Sequence, residues 1–333
     1  MRSIGLAICL AASALPAAGQ APSLEPLGST IRRLADSSGA SVGVGIRHIE
    51  SGQEWYLNGD RPFLMGSTFK IPVAVQLLTL VDHGQERLDR QVPLLPGDIF
   101  PSGSLLSERF GAGPDPGVQL AIRRYLELML ILSDNSATDV ILRHVGGPAA
   151  VMERIGALGI VGMRVDRTVM DIYRDYVGLA ALPPPERRNL DTVVALMRGL
   201  TPERLAAAQR AYHASEKDRS TPRAMVDLLT KISRREAVSP ANTDELLAIM
   251  RREETGRDRI RRLLPAGTRV ANKTGSYGTV VANDVGIVDL PDGAGHLVVV
   301  VFTEDQAASD VAKERLIADI AKAAYQHFAS RPR

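Results

Sequence analysis

Strand-like sequence lies at the two ends of this chain, and helix-like sequence fills the space between them. Residues 40–49 alternate with the β-branched Val42, Val44 and Ile46 on one side, and residues 55–57 follow a Ser51-Gly52 turn, which predicts a hairpin. Far downstream, residues 270–274, 283–290 and 297–303 also have strand character, separated by Gly-rich and Pro-Asp-Gly turns. Apolar residues recur at helical spacing in 67–83, 121–144, 148–158, 222–235 and 242–253. Two more helical patterns, 24–37 and 309–328, adjoin the terminal strands. Strands need partners and a covered face, so the simplest closure joins both ends of the chain in one sheet. The predicted fold is therefore α/β (α+β). Residues 22–66 and 256–330 form an antiparallel sheet flanked by the N- and C-terminal helices, and an all-helical domain, 67–255, is inserted between them.

Residues 178–219 stand apart within that insertion. They hold Pro183-Pro184-Pro185, then two short helical patterns, 191–198 closed by Gly199 and 202–215, which predict a helical hairpin. The plain expectation for such a stretch is a surface elaboration without chemistry.

The first 19 residues read as a secretory signal peptide. Arg2 precedes an apolar run over 4–18 that is too short to span a bilayer, and Ala17-Ala18-Gly19 offers a cleavage site. Export to a periplasm or the medium is expected, with no membrane span once the leader is removed. Cys9, the single cysteine, lies in that leader, so the mature chain has neither a disulfide nor a thiol nucleophile. The six histidines are scattered without metal-ligand spacing, and no Gly-rich phosphate loop follows a strand. No metal or cofactor is expected. A net charge of +2 gives no reason to expect nucleic acid as a partner.

Three short words occur in order: Ser67-Thr68-Phe69-Lys70, Ser133-Asp134-Asn135 and Lys273-Thr274-Gly275. A Ser-x-x-Lys match alone is weak, since roughly one is expected by chance in a chain of this length. Ser67 and Lys70, three apart at a helix start, share a face. A lysine kept neutral by burial and nearby positive charge can take the serine's proton. The helix start also favours negative charge near Ser67, whose N–H can serve an oxyanion. The Ser133 hydroxyl can relay a proton to a leaving nitrogen, and the Asn135 amide can hold a substrate carbonyl. Equally, Ser-Asp-Asn can be a helix cap. Lys273, Thr274 and Ser276 on a strand suit a substrate carboxylate, and Gly275 lets a substrate backbone approach.

In this order the three words resemble the class A serine β-lactamases and, more distantly, penicillin-binding proteins. The resemblance extends to residues 63–72, the Ser220-Thr221-Pro222-Arg223-Ala224-Met225 stretch, Asn283-Asp284, and Thr255-Gly256 followed by Arg259-Ile260-Arg261. It implies a Ser67 nucleophile, Lys70 as base and Ser133 as proton relay. Asn135, Lys273, Thr274, Ser276 and Arg259 would bind substrate. The implied partner is a small β-lactam or a cell-wall peptide, and the implied state is a monomer.

One departure bears on the reaction's second half. The family carries Arg-x-Glu-x-x-x-Asn on an Ω-shaped loop, whose glutamate activates the deacylating water. Here Arg167 matches, but Val169 stands at the glutamate position and Tyr173 at the asparagine position. Three readings stay open. Asp171 or Asp175 reaches the water; Lys70, carbamylated in an apolar pocket, serves as base; or the acyl-enzyme persists, as in a D-alanyl-D-alanine peptidase or penicillin-binding protein.

Overall fold

The computed structural model describes residues 23–101, 104–110, 117–183, 187–304 and 308–330. The expected leader, 1–19, and the prolines at 184 and 185 lie outside them. One five-stranded sheet organises the molecule. It contains β1 (Ser41–His48), β2 (Glu54–Leu57), β7 (Val270–Tyr277), β8 (Val281–Asp289) and β9 (His296–Glu304). The spatial order is β2-β1-β9-β8-β7, and every neighbouring pair is antiparallel. The two ends of the chain thus meet at the β1–β9 ladder, in register from Ser41 opposite Glu304 to His48 opposite Leu297. The expected antiparallel sheet between terminal helices holds.

Alternation along β1 and β9 assigns the faces. Val42, Val44, Ile46, Leu297, Val299 and Val301 point to one side, where they pack with α1 (Glu25–Ser38) and α12 (Asp310–Ala329). Val298, Val300 and Phe302 point to the other side and join the core of the helical part. Both faces of β9 are buried, which explains its unbroken apolar run. On β1 two of the residues facing the helical part, Gly43 and Gly45, are glycines. A Cβ on Gly43 would lie 2.4 Å from the Phe63 ring, and one on Gly45 would lie 2.5 Å from Val226. Their absence lets Phe63 and α10 (Pro222–Ser233) press directly on the strand.

The helical part surrounds α2 (Lys70–Asp82), which is buried continuously from Lys70 to Thr79. Around it stand α3 (Leu105–Phe110), α4 (Ile122–Ile131), α5 (Asn135–His144), α6 (Gly147–Ala157) and α11 (Pro240–Met250). Two-stranded pairings tie in β3 (Phe63–Leu64) with β6 (Arg219–Ser220), and β4 (Gln91–Pro93) with β5 (Gln119–Ala121). One detail differs from the sequence reading: Gly66–Phe69 is a 3-10 turn that only then becomes α2. The 121–144 pattern breaks at the Ser-Asp-Asn word into α4 and α5, with Ser133 at a positive φ of 57° between them.

The remaining helices are α7 (Val169–Val177), α8 (Leu190–Met197) and α9 (Pro202–Ala214). They form one excursion whose ends are joined by an ion pair, Arg167 Nε to Asp218 Oδ2 at 2.5 Å, between residues 51 apart in the chain. Both side chains are buried. Breaking such a pair leaves an uncompensated buried charge, so the neck is a strong constraint once formed.

Candidate active site

The site lies where the 3-10 turn at Ser67 meets β7 and the start of α5. β7 passes so close to the turn that a Cβ on Gly275 would sit 2.3 Å from the Met65 carbonyl oxygen. Only glycine fits there. Asn283 on β8 fixes the same turn, its Nδ2 donating to the carbonyls of Leu64 at 2.8 Å and Met65 at 3.1 Å.

Lys70 is wholly buried at the start of α2. Its Nζ donates to the Ser133 carbonyl at 2.6 Å, to Asn135 Oδ1 at 2.9 Å and to Ser133 Oγ at 3.2 Å. Desolvation, and after it the charge of Lys273, hold this amine well below the usual lysine range, against the pull of Asp134 and Asp139. Asp134 shapes the Ser133 corner. Its carboxylate accepts from Ala137 N and Ser104 Oγ at 2.8 Å each, and from Leu106 N at 3.0 Å. The N-cap expected of this word is therefore Asp134, which leaves the side chains on either side free to meet Lys70.

On the opposite edge, Lys273 is buried and donates to the Thr274 carbonyl at 3.1 Å. Burial pulls its ammonium down to about 8, while Glu253 and Asp284 hold it up. Glu253 receives hydrogen bonds from Thr255 N, Thr255 Oγ1, Gly256 N and Thr274 Oγ1. Arg259 reaches Ser276 Oγ at 2.8 Å and the Asn283 carbonyl at 2.8 Å. Lys273, Thr274, Ser276 and Arg259 thus form one polar edge.

The other wall of the cleft comes from the excursion closed by Arg167 and Asp218. A cavity of about 290 Å³ is lined by Ser67, Asn135 and Ser276 on one side, and by Val169, Ile172, Tyr173, Tyr176, Tyr212 and Tyr277 on the other. Val169 and Met170 are held by Asp139, whose two carboxylate oxygens accept their N–H groups at 2.7 and 2.9 Å. Desolvation pushes the Asp139 carboxyl up to about 6. Where the resemblance implied a loop, α7 stands, capped by Thr168.

Asp171 and Asp175 do not line this cavity. Asp171 is paired with Arg174 at 2.7 Å and faces a second cavity with Asp139, Arg143 and Arg188. Asp175 is paired with Arg167 at 2.9 Å and Arg174 at 2.7 Å; despite desolvation, those bonds hold its carboxyl below the usual range. Among the described residues lining the Ser67 cavity, Asp218 alone carries a carboxylate. It is occupied by Arg167 Nε and by the N–H groups of Asp166 and Arg167. Among the described residues, no group of three or more His, Cys, Asp or Glu is placed to hold a metal ion.

The sequence reading singled out Tyr173 but passed over Asp218, Asp139, Tyr176, Tyr212 and Tyr277 as parts of the site. Asp218 adjoins the Arg219-Ser220-Thr221-Pro222 stretch and was findable from it; the tyrosines have no spacing that marks them. The expectation for 178–219 also needs correcting. Its helix α9 carries Tyr212, 3% exposed, into the wall of the cavity that holds Ser67.

Comparison with known proteins agrees with this geometry. The chain is 28% identical to the extended-spectrum beta-lactamase PER-1 of Pseudomonas aeruginosa, over 86% of this chain and 82% of that protein. A beta-lactamase structure from Chitinophaga pinensis is 30% identical, with a TM-score of 0.74 over 91% of this chain and 99% of that one. An ancestral class A beta-lactamase is 26% identical, with a TM-score of 0.73 over 90% of this chain and 99% of that one. The model of the beta-lactamase enzyme family matches residues 26–328, and the chain belongs to that family.

Proposed function

We propose that this chain is an exported serine hydrolase that opens the β-lactam ring through a Ser67 acyl-enzyme, and that release of the acyl group is its slow step. The observation that carries the first half is the set of contacts at Lys70 Nζ. With the amine neutral, two N–H groups serve the Ser133 carbonyl and Asn135 Oδ1, and the lone pair remains for the Ser67 proton. Ser67 Oγ then bonds to the lactam carbonyl carbon, and the oxyanion faces the Ser67 N–H at the turn. As the ring C–N bond breaks, the proton passes from Lys70 through Ser133 Oγ, 3.2 Å away, to the leaving nitrogen. The polar edge of Lys273, Thr274, Ser276 and Arg259 holds the substrate carboxylate, and Asn135 holds the side-chain amide.

Slow release is supported by the cavity wall. Val169 has no proton acceptor, Asp171 and Asp175 are engaged elsewhere, and Asp218 is committed to Arg167. That favours a persistent acyl-enzyme over activation of water by either aspartate. It also keeps in view the second reading, a D-alanyl-D-alanine peptidase or penicillin-binding protein. Export rests on the expected leader. Among the described residues, no helix is long and apolar enough to cross a membrane.

Stopped-flow with a chromogenic cephalosporin tests this. The expected trace is a burst of about one product per enzyme followed by a slower, sustained phase. A burst followed by silence assigns the peptidase or penicillin-binding reading, and fast turnover without a burst defeats slow release. Ser67→Ala should show no acyl adduct by intact mass; continued turnover would remove Ser67 as nucleophile.

A further inference from the structure

The excursion between Arg167 and Asp218 does more than bring Val169 to the glutamate position. It turns one wall of the cleft aromatic. Tyr176 of α7, Tyr212 of α9 and Tyr277 of β7 meet in a cluster: Tyr212 stacks on Tyr277 at 4.7 Å and 26°, and Tyr176 stands edge-on to Tyr277 at 4.6 Å and to Tyr212 at 5.5 Å. The far face of this cluster is held by the neck of the excursion, because the Arg167 guanidinium lies 5.1 Å from the centre of the Tyr212 ring. Ile172 and Leu64 pack beneath the rings. The same three tyrosines line the cavity that holds Ser67 and Asn135.

A molecule joined to Ser67 through its lactam carbonyl has little choice in how it fills this space. Its ring nitrogen and carboxylate belong on the Lys273–Arg259 edge. The side-chain amide belongs at Asn135, and whatever follows the amide enters the apolar end. Rings packed edge-on and stacked offer further faces and edges to a flat π-system, and little to a charged or strongly hydrated group.

We propose that the Tyr176–Tyr212–Tyr277 cluster is a subsite for an aromatic acylamino side chain on the β-lactam. Tyr212, supplied by the segment that looks like a surface elaboration in sequence, is a specificity-determining residue of that subsite. This rests on the Ser67 acyl-enzyme reading, and it deepens that reading by naming the substrate's side-chain class.

The test compares two penicillins that share one nucleus. Benzylpenicillin carries a phenylacetamido group, and 6-aminopenicillanic acid carries a bare amine in its place. Second-order acylation constants are measured by intact mass and stopped-flow on the full mature chain. Wild type should favour benzylpenicillin by tenfold or more. Tyr212→Leu, which keeps apolar bulk and removes the ring, should cut that ratio by roughly three- to tenfold, the range of one lost aromatic pair. Tyr212→Phe should retain the ratio and the thermal midpoint, which separates loss of a ring from loss of folding. Equal losses for both penicillins in Tyr212→Leu, or a wild-type ratio near one, would overturn the proposal. If neither penicillin acylates wild type, the acyl-enzyme reading fails as well, and the mass spectrum shows it directly.

Discussion

The two walls of the cleft are built on opposite principles. The wall proposed to attack the substrate is polar and rests on core elements: Lys70 on the buried α2, Ser133 at a corner pinned by Asp134, Lys273 and Arg259 on and behind the β7–β8 hairpin at the edge of the sheet. Lys70, Lys273 and Arg259 are each held there by a hydrogen bond to a backbone carbonyl. The facing wall is apolar and is carried largely on a long excursion, with Tyr277 added from β7; the ends of the excursion are joined by the buried Arg167–Asp218 pair and by backbone bonds such as Arg164 N to the Arg219 carbonyl. A cleft of this kind can keep its acylating half while the other half changes its chemistry, because the hydrogen bonds that fix Lys70, Lys273 and Arg259 do not come from the apolar side chains of the facing wall. The largest effects of substitution should therefore fall on the polar wall and concern attack, and those on the apolar wall should concern retention, release and selectivity.

The sharpest break of that division is Lys70→Ala. General-base catalysis contributes roughly a hundred- to ten-thousandfold, so acyl-adduct formation should slow by at least about a hundredfold while the fold remains intact. Acylation within tenfold of wild type would mean that another group takes the Ser67 proton. Next comes the neck. Arg167→Ala leaves Asp218 buried without its partner, and losing one member of a buried pair costs roughly 3–5 kcal/mol. Urea unfolding should show a shift of that order, together with a fall in the benzylpenicillin ratio as Tyr212 loses its backing. A shift below about 1 kcal/mol would show that the excursion is held by its packing, and the comparison would then need redrawing.

Val169→Glu crosses from one wall to the other. It places a carboxylate beside Ser67 at the first turn of α7, where the helix start favours negative charge. Steady turnover of the cephalosporin should rise by roughly tenfold to a hundredfold, with the burst amplitude falling accordingly. No rise would mean that the tyrosine-lined cavity excludes water even when a base is present.

The same asymmetry decides what was legible in the sequence. The sheet and its flanking helices were readable because Val42, Val44 and Ile46, and the β9 run, must bury one or both faces. The polar wall was readable because its chemistry needs particular residue types a few positions apart, as at Ser67 and Lys70. The apolar wall was not. Tyr176, Tyr212 and Tyr277 come from three elements spread across 101 positions, and closure of the excursion, by the Arg167–Asp218 pair and the backbone bonds beside it, carries Tyr176 and Tyr212 to Tyr277 on β7. Val169 was visible as a missing glutamate, yet its anchoring was not, because Asp139, which accepts the Val169 and Met170 N–H groups at the start of α7, lies on α5. The contribution of α9 was misjudged for the same reason: Tyr212 is its one buried residue among an otherwise polar, helix-forming stretch.

The smallest predicted effect separates the two buried lysines of the polar wall by pH. Lys273 is fully buried, and burial pulls its ammonium down to about 8. Below that value the group carries the charge that a substrate carboxylate needs; above it the amine is neutral and the attraction fades. For a β-lactam with a free carboxylate, kcat/KM relative to that of its methyl ester should therefore hold level up to about pH 8 and then fall, approaching tenfold per pH unit. The loss should appear in KM if Lys273 binds the carboxylate, as proposed, and does not touch the reacting carbonyl. A methyl ester of the same β-lactam has no carboxylate to lose and should show no such limb near 8. Lys70 titrates well below the ordinary lysine range. Its loss of a proton improves the base and acts on both substrates alike, with rates rising as pH increases. A limb near 8 shared by acid and ester would place that titration on the attacking group, and the carboxylate edge would then have to rest on Arg259 and Ser276.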